Sequence, residues 1–241
     1  MNNKVSHVLC VFAMTTGLGG VAYAQMGEQP QQQPPSQQQQ PSQQQQPSQG
    51  QKTPEAGEMD PGNMLEMAHQ SLQGNDTSEA AKQMRQAATV MRVQMAGAPK
   101  DAGKKMHDAA KKLDSTAQQL ASGQNVQPQK ADMALAEAAN ALAKYNHAMA
   151  QDALKSKDKQ GFSRYLEASA RDLDRAAKWS GREAEAGVRT AVGDAVQLSG
   201  KVTEGAGAIP EDAGRVVDEL GRGIDRVGKD IHGGKQAKER G

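Results

Sequence analysis

The 241 residues are enough for one or two domains, and the charge is balanced, with 29 Lys+Arg against 28 Asp+Glu. Such a chain has no global basic field to attract nucleic acid, so a nucleic-acid partner is not expected. The single cysteine, Cys10, lies in the first segment; loss of that segment would leave no disulfide, thiol nucleophile or cysteine metal ligand.

Residues 1–24 read as a secretory signal. Lys4 supplies the positive start, Val8 to Val21 a short apolar run, and Ala22-Tyr23-Ala24 an A-x-A-type cleavage site. Thr15, Thr16 and Gly17 interrupt the run, which is too short to span a bilayer comfortably. The expectation is an exported protein, periplasmic or secreted. Residues 25–59 read as a disordered linker rich in Gln, Pro and Ser. Pro35-Ser36, Pro41-Ser42 and Pro47-Ser48 mark a six-residue repeat that can bury no apolar surface.

Past the leader, Leu, Ile, Val and Phe make up only 25 of 217 residues, about 12%. A value this low signals disorder when net charge is high, but here it is near zero. Alanine and methionine take the apolar positions, and alanine is the strongest helix former. The fold class expected is all-α: antiparallel helical hairpins in a bundle of about 6–7 helices, thin and closely packed.

From residue 60 the helix punctuation is legible. Asp60-Pro61, Pro99, Pro128 and Pro210 sit at starts, Asp76 with Glu79 forms a capping-box-like start, and Gly74, Gly97, Gly123 and Gly205 sit at stops. These signals place helices at about 61–73, 77–96, 99–122, 128–156, 159–180, 183–204 and 210–232, with 60–181 as a bundle and 182–241 as glycine-heptad amphipathic helices with a short basic tail. The stretch Ala131–Trp179 holds every aromatic residue beyond the leader: Tyr145, Phe162, Tyr165 and Trp179. It is the expected core. It loosely resembles a tetratricopeptide hairpin through Ala139, Tyr145, Ala168 and Ala176, but the period of about 34 residues does not recur, so peptide binding is not carried over. A shift of 82 residues aligns Met67 with Met149, Leu72 with Leu154, Asp76 with Asp158, Met84 with Leu166, Ala88 with Ala170 and Met91 with Leu173. A duplication would make each copy a hairpin followed by a third helix.

Toward the C-terminus, Gly193, Gly200, Gly207, Gly214, Gly221 and Gly228 recur every seven residues. Beside them runs an apolar face that includes Val188, Val192, Val202, Val217, Leu220, Ile224, Val227 and Ile231, with coiled-coil-like spacing. Each interior glycine costs about 0.5–1 kcal/mol relative to alanine, so the column is useful only where something approaches the backbone closely. The hairpin at 131–179, a second copy of the chain, a protein partner or a lipid surface could do so. The membrane surface is the weaker expectation, because the face lacks bulky anchors and the polar side is mixed in sign.

No catalytic motif occurs, and no enzyme or cofactor is expected. Glu66-Met67-Ala68-His69 is a lone Glu-x-x-His, short of the two pairs a di-iron bundle needs. The candidate metal ligands are Met64, Met67 and His69, with Met59, since thioether and imidazole suit Cu(I). The reading set against it is that methionine is this chain's general core filler. The functional expectation is an exported, non-catalytic structural or interaction component of the cell envelope. The alternatives are a soft-metal or small-ligand binding bundle and a membrane-surface protein.

Overall fold

The computed structural model describes residues 60–182, 185–205 and 209–238, with side chains through residue 233. The leader, the whole Gln/Pro/Ser tract with Met59, and Gly207 lie outside them. Among the described residues the fold is all-α, a bundle of seven helices: α1 (Pro61–Gln73), α2 (Thr77–Gln94), α3 (Lys100–Ala121), α4 (Pro128–Ser156), α5 (Lys159–Trp179), α6 (Ala186–Glu204) and α7 (Ala213–Lys238). A 3-10 turn, Met95–Gly97, joins α2 to α3.

The starts follow the capping residues. The Asp60 carboxylate accepts from the Gly62 N–H at 3.0 Å, Asp76 from Glu79 at 2.9 Å and Asp158 from Gly161 at 3.0 Å. Each satisfies an amide that the helix itself leaves without a partner. Pro128 occupies the first turn of α4 as expected, while Pro99 caps α3 from outside it. Two expected boundaries differ. Pro210 precedes a turn, so α7 begins at Ala213, and α7 continues past residue 232 to Lys238.

Consecutive helices pack on one another, and α4 also touches α1 and α7. The fully buried large side chains are Phe162, Leu65, Met84, Met91, Met106, Leu113, Leu135, Leu142, Leu166, Leu173, Leu220 and Ile224, set among alanines. The 82-residue correspondence extends into conformation. Asn75 and Lys157 both turn left-handed, at φ 58° and 59°, immediately before the matching caps Asp76 and Asp158. Met84 and Leu166, Ala88 and Ala170, and Met91 and Leu173 are all buried. Helices α1–α2–α3 and the second half of α4 with α5 and α6 thus share one register.

The apolar face of α6 and α7 is closed inside the chain. Val188, Val202, Val217, Leu220, Ile224, Val227 and Ile231 are buried and Val192 is half-buried. Val196 of α6, by contrast, is 43% exposed. Of the glycines in the column, two sit against α4. A Cβ on Gly221 would meet the His147 ring at 2.9 Å, and one on Gly228 would meet Asn140 Nδ2 at 2.7 Å. His147 and Asn140 are themselves seven residues apart, so α4 and α7 run antiparallel with two polar side chains set into two glycine notches. Between them Lys144 Nζ donates to Asp225 at 3.0 Å. The Gly221 notch has a clear reason. A helical side chain leans over the preceding turn, and its absence lets His147 Nε2 reach the Val217 carbonyl at 2.9 Å. Gly193, Gly200 and Gly214 face nothing within 4 Å.

Gly221→Leu is expected to lower stability by about 1–3 kcal/mol through overpacking, whereas Gly193→Ala should raise it by about 0.5–1 kcal/mol. Urea denaturation of the two variants checks the contrast. A left-handed lysine is strained in a way that glycine is not, so Lys157→Gly should be stabilising by about 1 kcal/mol, read in the same experiment.

Candidate functional site

A cleft of about 570 Å³ opens between α1 and α5. It forms where the last turn of α5 passes the outer face of α1. Trp179, the final residue of α5, lies against the His69 ring with centroids 5.1 Å apart and planes inclined by 28°. His69 Nε2 is 3.7 Å from Asp132 Oδ1 on α4. Burial raises the Asp132 carboxyl above its ordinary range, and nearby His69 opposes that shift. Gln70 and Gln73 extend this aromatic platform along α1.

The opposite wall is ionic. Arg171 pairs with Glu167, and Lys178 pairs with Asp174 at 2.7 Å. Arg175 is the centre of the arrangement: its Nε lies 3.4 Å from Glu66, Nη1 donates to Asp172 at 3.0 Å, and Nη2 donates to Asn63 Oδ1 at 3.0 Å. Asp172 is buried and also accepts from Asn146 Nδ2 on α4 at 3.0 Å. One guanidinium–carboxylate pair therefore ties α5 to both α1 and α4. Gly62 makes room for it, since a Cβ there would stand 2.6 Å from both Arg175 Nη1 and Asp172 Oδ1. Burial pushes the Asp172 carboxyl up to about 7; Arg175 partly offsets the effect and Asp60 adds to it.

The residues expected as soft-metal ligands do not converge. Met67 is 49% exposed on the outside of α1, Met64 packs against the core, and His69 is engaged with Trp179 and Asp132. Met67 and His69, two residues apart, point to opposite sides of the helix. Among the described residues no group of three or more His, Cys, Asp or Glu is placed to hold a metal. The residues expected as an interaction face are brought together, but against α4, α5 and one another.

What sequence reading missed was the Asp172–Arg175 pair. Its i,i+3 spacing was visible, but the same spacing recurs along many exposed helix faces. Burial is what distinguishes this pair, and it comes from α1 and α4. The cleft walls offer stacking, hydrogen bonding and paired charge, and they include no hydroxyl or thiol nucleophile. Comparison with family models, with curated proteins and with solved structures gives no match to this chain.

The raised Asp172 carboxyl has a consequence for stability. An acid that is harder to ionise folded than unfolded favours the folded state when protonated. Its contribution is therefore full below about pH 4 and is lost as pH rises through about 7. Asp172→Asn should flatten the urea-midpoint profile across this window, so that its stability relative to the parent chain is more favourable at pH 8 than at pH 4. An unchanged slope would show that Asp172 ionises without cost.

Proposed function

We propose that this chain is an exported, non-catalytic helical protein that serves as a structural or protein-interaction component of the cell envelope. The leader-like segment with Ala22-Tyr23-Ala24 supports export, and the Gln/Pro/Ser tract after it has the composition of a spacer that holds the bundle away from a partner. The observation that carries the interaction role is the α1/α5 cleft. The apolar faces of α6 and α7 are taken up by internal packing, so recognition falls to an outer surface of paired charges and to this concavity with its Trp179–His69 platform.

That platform also favours a second reading, small-ligand binding by the bundle, in which a planar group lies against Trp179. A Cu(I) version draws no support from the placement of Met64, Met67 and His69. A membrane-surface version draws none from α6 and α7, whose apolar sides face inward, and no described helix is long and apolar enough to cross a membrane.

Expression of the full chain with a C-terminal tag, followed by cell fractionation and N-terminal sequencing, tests the proposal. The expected product begins at Gln25 and lies outside the cytoplasm, and Ala24→Leu should block its processing. An unprocessed cytoplasmic product overturns the reading.

A further inference from the structure

A second concavity, of about 240 Å³, opens where the start of α3 meets α4 and α7; Asp101, Lys144, His147, Gly221 and Asp225 are among its lining residues. Its histidine stands apart from the others. His107 is exposed, His69 lies beside Asp132 and His232 beside Glu137, but His147 has no carboxylate within 4 Å among the described residues. The His147 ring is half-buried in the α7 notch, with Nε2, Cε1 and Cδ2 the atoms nearest Gly221. A carbonyl can only accept, so the 2.9 Å contact with Val217 requires the hydrogen on Nε2. The neutral ring therefore satisfies the notch. A further proton must go to Nδ1, which has no hydrogen-bond partner among the described residues.

The charged groups that face the ring do not compensate it. Asp218 and Asp225 of α7 attract a charged ring, but Lys144 already engages Asp225 at 3.0 Å and itself repels the charge. Asp101 of α3 is exposed at the rim. Burial holds the pKa of the ring below the ordinary histidine value; the Val217 carbonyl, Asp225 and Asp218 oppose the shift, and Lys144 adds to it. The neutral ring thus favours the closed α4/α7 seam. Its contribution is full above about pH 6.5 and is lost as pH falls through the lowered value. At the far end of the seam the sense is reversed. His232 Nε2 lies 3.4 Å from Glu137, which Lys112 also holds, and a charge on His232 strengthens that contact. Helix α7 takes no part in the Asp172–Arg175 tie among α1, α4 and α5, so it can part from α4 locally without breaking it. We propose that His147 is an acid-sensitive latch, whose protonation frees residues 217–224 of α7 from α4 while α1 to α5 stay folded. The latch is separate from the α1/α5 cleft and does not depend on the role proposed for it.

Nuclear magnetic resonance of the full chain between pH 7.5 and 5 tests this, following the His147 ring and the exchange protection of single amides, corrected for intrinsic rate. His147 should titrate below a free histidine. Protection at Val217, Leu220 and Ile224 should fall with it relative to Ala88 and Met91 of α2, by up to about tenfold for each unit of that lowering. Leu173, beside Asp172, should lose none, because protonating Asp172 favours the folded state. His147→Phe keeps a ring at the notch and His147→Gln keeps a donor for Val217, and neither titrates in this range. In both, the acid-dependent fall along α7 should disappear. Four outcomes overturn the proposal: a His147 titration at or above that of free histidine, unchanged relative protection at Leu220, an equal fall at Leu173, or the full acid-dependent fall in both variants.

Discussion

The constraint on which the structure depends is the distance at which its helices must pack. With so few leucines, isoleucines, valines and phenylalanines, a bundle of this length can exclude water only if its backbones come close together. Alanine and glycine allow that approach. The buried surface of α4 is almost wholly alanine, from Ala131 through Ala153, with Leu135 and Leu142 as its large apolar members. Close packing of small side chains gives up burial per residue and replaces it with many short-range contacts.

Close approach also brings helix carbonyls within reach of side chains on neighbouring helices. Ser169 Oγ donates to the Ala143 carbonyl at 2.8 Å, Ser163 Oγ donates to the Ser199 carbonyl at 2.9 Å, and His147 uses the Val217 carbonyl. In a core of larger residues these buried polar groups would lack partners. Here they join α4 to α5, α5 to α6 and α4 to α7. The Asp172–Arg175 pair belongs to the same economy: Gly62 and Asn63 let a charged pair sit against the first turn of α1, where bulkier residues would have kept it in solvent. Breaking such a pair leaves a buried charge uncompensated, so the pair specifies an arrangement more than it adds stability.

The two concavities follow from this packing. Each lies beside a polar group that the helices enclose: Asp172 and Arg175 at the α1/α5 cleft, His147 at the α3/α4/α7 junction. A bundle sealed by large apolar side chains would have filled both. The correspondence between α1–α2–α3 and the second half of α4 with α5 and α6 shows how they differ. Matching turns and caps give the two segments a common register, and His69, which lines the α1/α5 cleft, stands where the second segment has Gln151.

What the sequence by itself determined was local. Asp60, Asp76 and Asp158 could be read as helix caps, because caps act through the chain's own nearest amides. The amphipathic spacing of α2 through α5 and the all-helical class followed from alanine content and period. What only the tertiary structure decided was which surface meets which. The glycine heptad announced a close approach, but the sequence left open whether the chain's own hairpin, a second copy, a protein partner or, less favoured, a lipid surface would make it. Only the folded chain shows Gly221 and Gly228 receiving His147 and Asn140, and Gly193, Gly200 and Gly214 receiving nothing. The Met64, Met67 and His69 set looked like ligands by residue type, and helix geometry with the position of Trp179 separated them. Caps depend on neighbours along the chain, whereas notches, buried pairs and cavities depend on helices distant in sequence, and one-dimensional spacing carries no information about which of them will meet.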